Sequence, residues 1–246
     1  MSSSSGDAIF KLLLAIFGVF VLLFSFIVLA IETAARNAKQ KARTMALSQK
    51  AQSIGLNFVP ERSTSMVKQF RFLEHFGLVS GANKESCINV MTGSFDSHSV
   101  TLFDYYYVTS GTGEWWWAPS WVRHCYFSLF IADMNSDFPE LTIAKEGFFS
   151  KIAQAVGYRD IDFESNEFSK RYVVRSKNKK FAYDFCNAKM IDYLLDQPIV
   201  PIEVEKNALA LAFDDQYYEG SIESNLRHLA NIRSLMPAYL FEASRG

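Results

Sequence analysis

The chain has 246 residues, enough for one large or two small domains, and 49% of them are apolar, so a packed core is within reach. A net charge of −1 excludes a general electrostatic affinity for nucleic acid. Three widely spaced cysteines, Cys87, Cys125 and Cys186, form no CxxC and no zinc-type Cys/His spacing, so no metal site is expected and the thiols read as reduced.

The first element is the most informative. After a short tail, residues 1–11, "LLLAIFGVFVLLFSFIVLAI" (Leu12 to Ile31) carries no charge. At the helical rise, 20 residues span about 30 Å, the thickness of a bilayer core. The run is longer than a signal-peptide core and its leader holds only Asp7 and Lys11, so it reads as an uncleaved anchor. One lysine and the α-amino group precede it. Arg36, Lys39, Lys41, Arg43 and Lys50 follow, against Glu32 as the nearby acid. Positive charge stays on the cytoplasmic side. The expected topology is therefore single-pass, N-terminus outside, soluble domain in the cytoplasm. The same five basic residues are candidates for contact with lipid headgroups. Residues 32–55, rich in Ala, Lys, Gln and Arg, predict a continuing juxtamembrane helix that stops at Gly55.

From 56 to 246 a soluble domain is expected. "LNFVPE" is extended, and "STSMVKQFRFLEHFG" has helical spacing. The period then drops to two: "CINVMTGSF" and "SVTLFDYYYVTS" predict strands joined at "DSHS", followed by strands at "WVRHCYFSLFIADM" and "ELTIAKE". "GFFSKIAQAVG" reads as a short helix, "DIDFES" as extended, and "FSKRYVVRS" as a strand. "KKFAYDFCNAKMIDYLLD" predicts two short helices, the second capped by Asn187. "IVPIEVEKNALALAFD" predicts a hairpin turning at Lys206–Asn207. A last helix carries the stripe Ile222, Leu226, Leu229, Ile232 and Met236. The order predicts an α+β fold: a single N-terminal transmembrane helix, then a mainly antiparallel sheet with several packed helices.

"EFSKRYVVRSKNKKFAYDFCNAKMIDYLL" and "NVMTGSFDSHSVTLFDYYYVT" carry a resemblance. The chain resembles a widespread group of uncharacterised bacterial membrane-anchored proteins, with N-terminal spans and an α+β soluble domain, over roughly residues 85 to 240. The likeness implies a shared fold and, since the group is bacterial, anchoring in the bacterial inner (plasma) membrane; it brings no catalytic residues. In such relatives the loop after the "F-D-Y" strand is polar; here it is "SGTGEWWWAPSW".

No catalytic constellation stands out. His75, His98, His124 and His228 show no HExxH spacing, and there is no GxSxG, P-loop or dinucleotide-type glycine motif. The acid pairs Asp160/Asp162, Asp214/Asp215 and Glu203/Glu205 match solvated strand faces as well as any ion site. No cofactor is implied. Lys170, Arg171, Arg175, Lys177, Lys179 and Lys180 are candidates for anion contact. Trp115, Trp116, Trp117 and Trp121 are candidates for contact with a partner or the membrane, because tryptophan is favoured where one side is apolar and the other wet; the alternative is that the loop folds back over its own sheet and the rings join the core. The expected function is a membrane-anchored, non-catalytic interaction module, an accessory or assembly subunit. The expected partners are the lipid bilayer and other membrane proteins, with no nucleic acid. The alternative is a domain binding lipid or a small metabolite, or an enzyme, with a site assembled from dispersed residues such as Arg175, His124 and Asp104.

Overall fold

The structure is a computed structural model, and it describes residues 3–73, 83–111, 120–146 and 160–243. The chain divides into two units, Met1–Ala46 and Leu47–Gly246. The first unit is helix throughout its described part, the body of α1 (Ser3–Ser53). Its apolar stretch is unburied, and α1 is the one described helix long and apolar enough to cross a membrane.

The second unit begins inside the same helix. Leu47 and Ala51 are fully buried in its core. The helix stops where the sequence places Gly55. Its φ of 74° is a conformation glycine adopts without a Cβ penalty, and two reverse bonds close the end: Gly55 N–H donates to the Gln52 carbonyl (3.3 Å) and Leu56 N–H to the Ala51 carbonyl (2.9 Å).

The sheet that follows is antiparallel. Its strands are β1 (Asn57–Val59), β2 (Asn83–Phe95), β3 (His98–Gly111), β4 (Trp121–Ala144), β5 (Val173–Ser176) and β6 (Ile202–Phe213). β2 and β3 form the expected hairpin; Asp96 and Ser97 both take positive φ, the geometry whose twist matches the flanking strands. "WVRHCYFSLFIADM" and "ELTIAKE" are one run, β4, rather than two strands. Near its middle the chain bends, with Asn135 at positive φ. Residues before the bend pair with β3, and those after it with β5. β6 turns back on itself at Lys206, also at positive φ: the Ala212 amide donates to the Pro201 carbonyl at 3.1 Å, which lays the two ends of the run side by side as the sequence predicts. β4 wraps this hairpin. Its first half pairs with the second arm of β6 and its second half with the first arm. The Asp133 carboxylate ties the two bends together, accepting from the Asn135 amide (2.8 Å) and Asn207 Nδ2 (3.3 Å).

Five short helices complete the described fold beside α1 and α2 (Ser65–Gln69): α3 (Asn166–Arg171), α4 (Lys179–Phe185), α5 (Ala188–Asp196), α6 (Ile222–Leu235) and α7 (Ala238–Ala243). One correction falls here. "FSKRYVVRS" is not a single strand: its first half is α3, capped by Ser165 accepting from Phe168 N, and only Val173–Ser176 is extended. Asn187 caps α5 as predicted, its side chain accepting from Met190 N at 3.2 Å. The helix expected from Ser63 runs only over Ser65–Gln69, and residues 74–77 lie outside the described residues, as does "GFFSKIAQAVG".

Both sheet faces are covered. α4 to α7 and the last turns of α1 bury one face, with Phe130, Leu209, Leu211, Val204 and Ile143 beneath them. Val67, Phe70 and Leu73 cover part of the other, over Phe103, Tyr105 and Ala210. Full burial of each such large side chain contributes about 1.5–3 kcal/mol.

Candidate interaction surface

The strands β3 and β4 run on past β6. β3 pairs with β4 without a break from Val100↔Ala132 to Gly111↔Trp121. β6 leaves β4 at Ser128↔Phe213. From Trp121 to Phe127, β4 has β3 on one side and, among the described residues, no strand on the other. The result is a β3–β4 ribbon that runs on past β6; β2 flanks β3 as far as Asn83↔Val108, so among the described residues only its last part, Thr109–Gly111 with Trp121–Arg123, is two-stranded.

Its two faces follow from the period of two. On one lie Tyr105, Tyr107, Phe127, Arg123 and Trp121. The rings pack in sequence, Tyr105 to Phe127 at 4.9 Å and Tyr107 to Phe127 at 6.3 Å between centroids. Trp121 lies across Gly111: a Cβ on that glycine would come within 2.6 Å of the indole. The Arg123 guanidinium sits 5.9 Å above the same ring. On the other face Tyr106 and Tyr126 meet at 5.1 Å, and the Arg62 guanidinium lies 4.3 Å over Tyr106. Burial pushes the Tyr105 phenol well above its usual range, helped by the bond its hydroxyl donates to Glu85 (2.9 Å), so it stays a neutral donor. Toward the tip the cover ends: Trp121 is 50% exposed and Val122 62%.

At the root of the ribbon is a polar cluster of which sequence reading singled out only Asp104. Asp104 is fully buried. Its carboxylate accepts from Asn89 Nδ2 (2.8 Å), Ser128 Oγ (2.8 Å) and the Tyr217 amide (3.2 Å). Ser128 Oγ also lies 2.6 Å from the Asp215 carbonyl, and it accepts from the Tyr217 amide at 2.7 Å. The Tyr217 hydroxyl donates to the Asn89 carbonyl. Asn89 reaches this position from a bulge in β2, at φ 55°. The cluster draws the chain after Phe213 across the sheet face, and this is why β6 stops where it does. The available signal was a lone aspartate in "LFDYYY", at a position whose alternation places it on the helix-covered face.

The predicted contact residues fare differently. Trp115, Trp116 and Trp117 lie outside the described residues. Trp121 is exposed on the ribbon. Arg36, Lys39 and Lys41 are exposed on α1, Arg36 beside Glu32 at 3.5 Å, and Arg43 is half-buried. Lys50 forms an ion pair with Glu223 of α6 at 2.8 Å.

Four of the second basic group have partners within the fold. Arg171 donates to the Leu195 and Gln197 carbonyls, closing the end of α5. Arg175 pairs with Asp160 (2.7 Å), Lys177 with Glu140 (3.9 Å) and Lys180 with Asp184 (3.3 Å). Lys170 and Lys179 are exposed. Burial raises the Cys87 and Cys186 thiols far above their usual range, so neither is a poised nucleophile. No group of three or more potential metal ligands occurs among the described residues. An open cleft of about 330 Å³ lies between the β4 bend, α4 and α7, lined by Asp137, Phe138, Lys180, Phe181, Asp184 and Leu240. Neither Asp104 nor Arg175 reaches it.

No protein-family model matches the chain, and no curated protein matches it. A similar solved structure is that of the mycobacterial trehalose monomycolate transport factor A, TtfA, at 14% identity with a TM-score of 0.56, covering 78% of this chain and 93% of that one. At this identity the likeness is one of fold: the chain shares the architecture of a transport factor.

Proposed function

We propose that the protein is a single-pass, membrane-anchored interaction module whose β3–β4 ribbon engages another membrane protein, acting as an accessory or assembly subunit of an inner-membrane complex. The observation that carries the reading is the ribbon itself. It projects past β6 and exposes Trp121 and Val122, which follow Trp115–Trp117 closely in the sequence. Exposed aromatic anchors of this kind are common centres of binding energy. The charge balance around the span supports a cytoplasmic soluble unit, where anchoring raises its effective concentration toward other membrane components. The fold likeness to a transport factor is compatible with an accessory role.

The test is purification of the full-length protein from its own membranes in mild detergent, followed by mass spectrometry. A co-purifying membrane protein is expected, and changing Trp121 and Val122 to Ser should reduce its recovery at least tenfold. Recovery of the chain without any stoichiometric companion would refute the reading.

A further inference from the structure

We infer that the edge of β4 that no described strand covers, Trp121–Phe127, pairs antiparallel with the same edge of a second copy, centred on His124. The inference takes up the ribbon of the proposed function and concerns the backbone edge of its β4 strand, with the side chains of that strand setting the register.

A strand edge offers a row of N–H and C=O groups that template another strand. Natural edges are blunted by bulges, prolines or several charges. The edge from Trp121 to Phe127 has none of these beyond Arg123: no proline lies within it, and its register with β3 is unbroken. Nor is it an accident of where β6 runs out. The buried Asp104–Ser128 cluster holds residues 215–217 against Asp104 and Ser128, so the chain after β6 does not continue along β4.

The seven residues are self-complementary. With His124 on a two-fold axis, Trp121 stands opposite the second copy's Phe127, Val122 opposite its Tyr126, and Arg123 opposite its Cys125. Aromatic–aromatic and aromatic–β-branched pairs are the favourable cross-strand combinations. The single charge meets a thiol, so no like charges face each other. Such a contact is isologous and closes at two copies. A one-residue slip would move every side chain to the opposite face, putting Trp121 against the wrong neighbours.

Register makes the test specific. Arg123→Cys in the full-length protein places a thiol directly across from Cys125 of the second copy. The other two native thiols are buried, and within one chain the introduced thiol and Cys125 are two residues apart along an extended strand. Oxidation of membranes with copper phenanthroline should convert most of R123C to a disulfide-linked species of twice the 28.0 kDa chain mass. The double variant R123C/C125S should give at least tenfold less, and H124C/C125S should cross-link through its own axis position. The inference is overturned if folded R123C stays monomeric under oxidation, or if R123C/C125S cross-links as well as R123C does. Cross-linking with no co-purifying membrane protein would leave this pairing standing while refuting the proposed function. A companion without cross-linking would do the reverse.

Discussion

Asp104 is the residue on which the soluble unit depends most visibly. A carboxylate at zero exposure is tolerated because Asn89, Ser128 and the Tyr217 amide all donate to it. Removing the acceptor leaves those donors buried without it. Asp104→Ala should lower the unfolding free energy by about 2–4 kcal/mol, and Ser128→Ala by about 1–2 kcal/mol, in urea titrations followed by circular dichroism. The two effects should be clearly non-additive, since both groups hold Tyr217. A combined loss equal to the sum would mean that the residues act separately. None of this is legible in the sequence. "LFDYYY" shows an aspartate among aromatics, but its partners lie 15, 24 and 113 positions away along the chain, brought in by a bulge and a reversal of direction that no local pattern encodes.

Individual elements are legible wherever a side chain acts on its own neighbourhood. Asn187 caps α5 within three residues and Gly55 ends α1 within four, so both boundaries can be read directly. Changing Gly55 to Ala should lower stability by about 1 kcal/mol, because the residue sits at φ 74° with no steric obstacle to relieve. A thermal midpoint unchanged within error would contradict this account of the helix end. α3 is illegible for the opposite reason: six residues make too few turns to show a period, and their apolar positions continue smoothly into β5. The β6 hairpin is legible from Lys206–Asn207, whereas the wrap of β4 around it depends on contacts between distant segments. The α5–α6 contact, equally long-range, carries a pH signature. His228 lies against Tyr193, whose hydroxyl is 2.8 Å from His228 Nδ1, and burial lowers the imidazole from 6.5 to about 4. The unfolded chain therefore takes up the proton first. The stability tied to the neutral ring is complete above about pH 6.5 and is lost as pH falls toward 4, by about 2–3 kcal/mol in all. His228→Gln should flatten that part of the stability profile while leaving the profile above pH 7 unchanged in slope. An equally steep acid limb in the variant would assign it to other groups.

At the scale of the whole molecule the decisive quantity is the charge asymmetry around the apolar stretch of α1. Arg36, Lys39 and Lys41 are exposed, and Arg36 has only a solvent-exposed ion pair with Glu32, so these cations are available to govern insertion. Lys50 belongs to the folded unit through Glu223, which leaves four basic residues rather than five next to the apolar stretch. Ahead of it stands one lysine. Because orientation follows the difference between the two flanks, it should be reversible by exchanging them. Replacing Arg36, Lys39, Lys41 and Arg43 with Gln while changing Ser2 to Ser5 into Lys should move most of a C-terminal reporter from the cytoplasmic to the outer side. The wild-type fusion should report a cytoplasmic C-terminus. If the wild type already reports outside, charge does not set the orientation here, and the ribbon meets its partners in the other compartment. If the exchanged variant stays inside, the folding of the soluble unit, rather than its basic flank, holds the chain where it is.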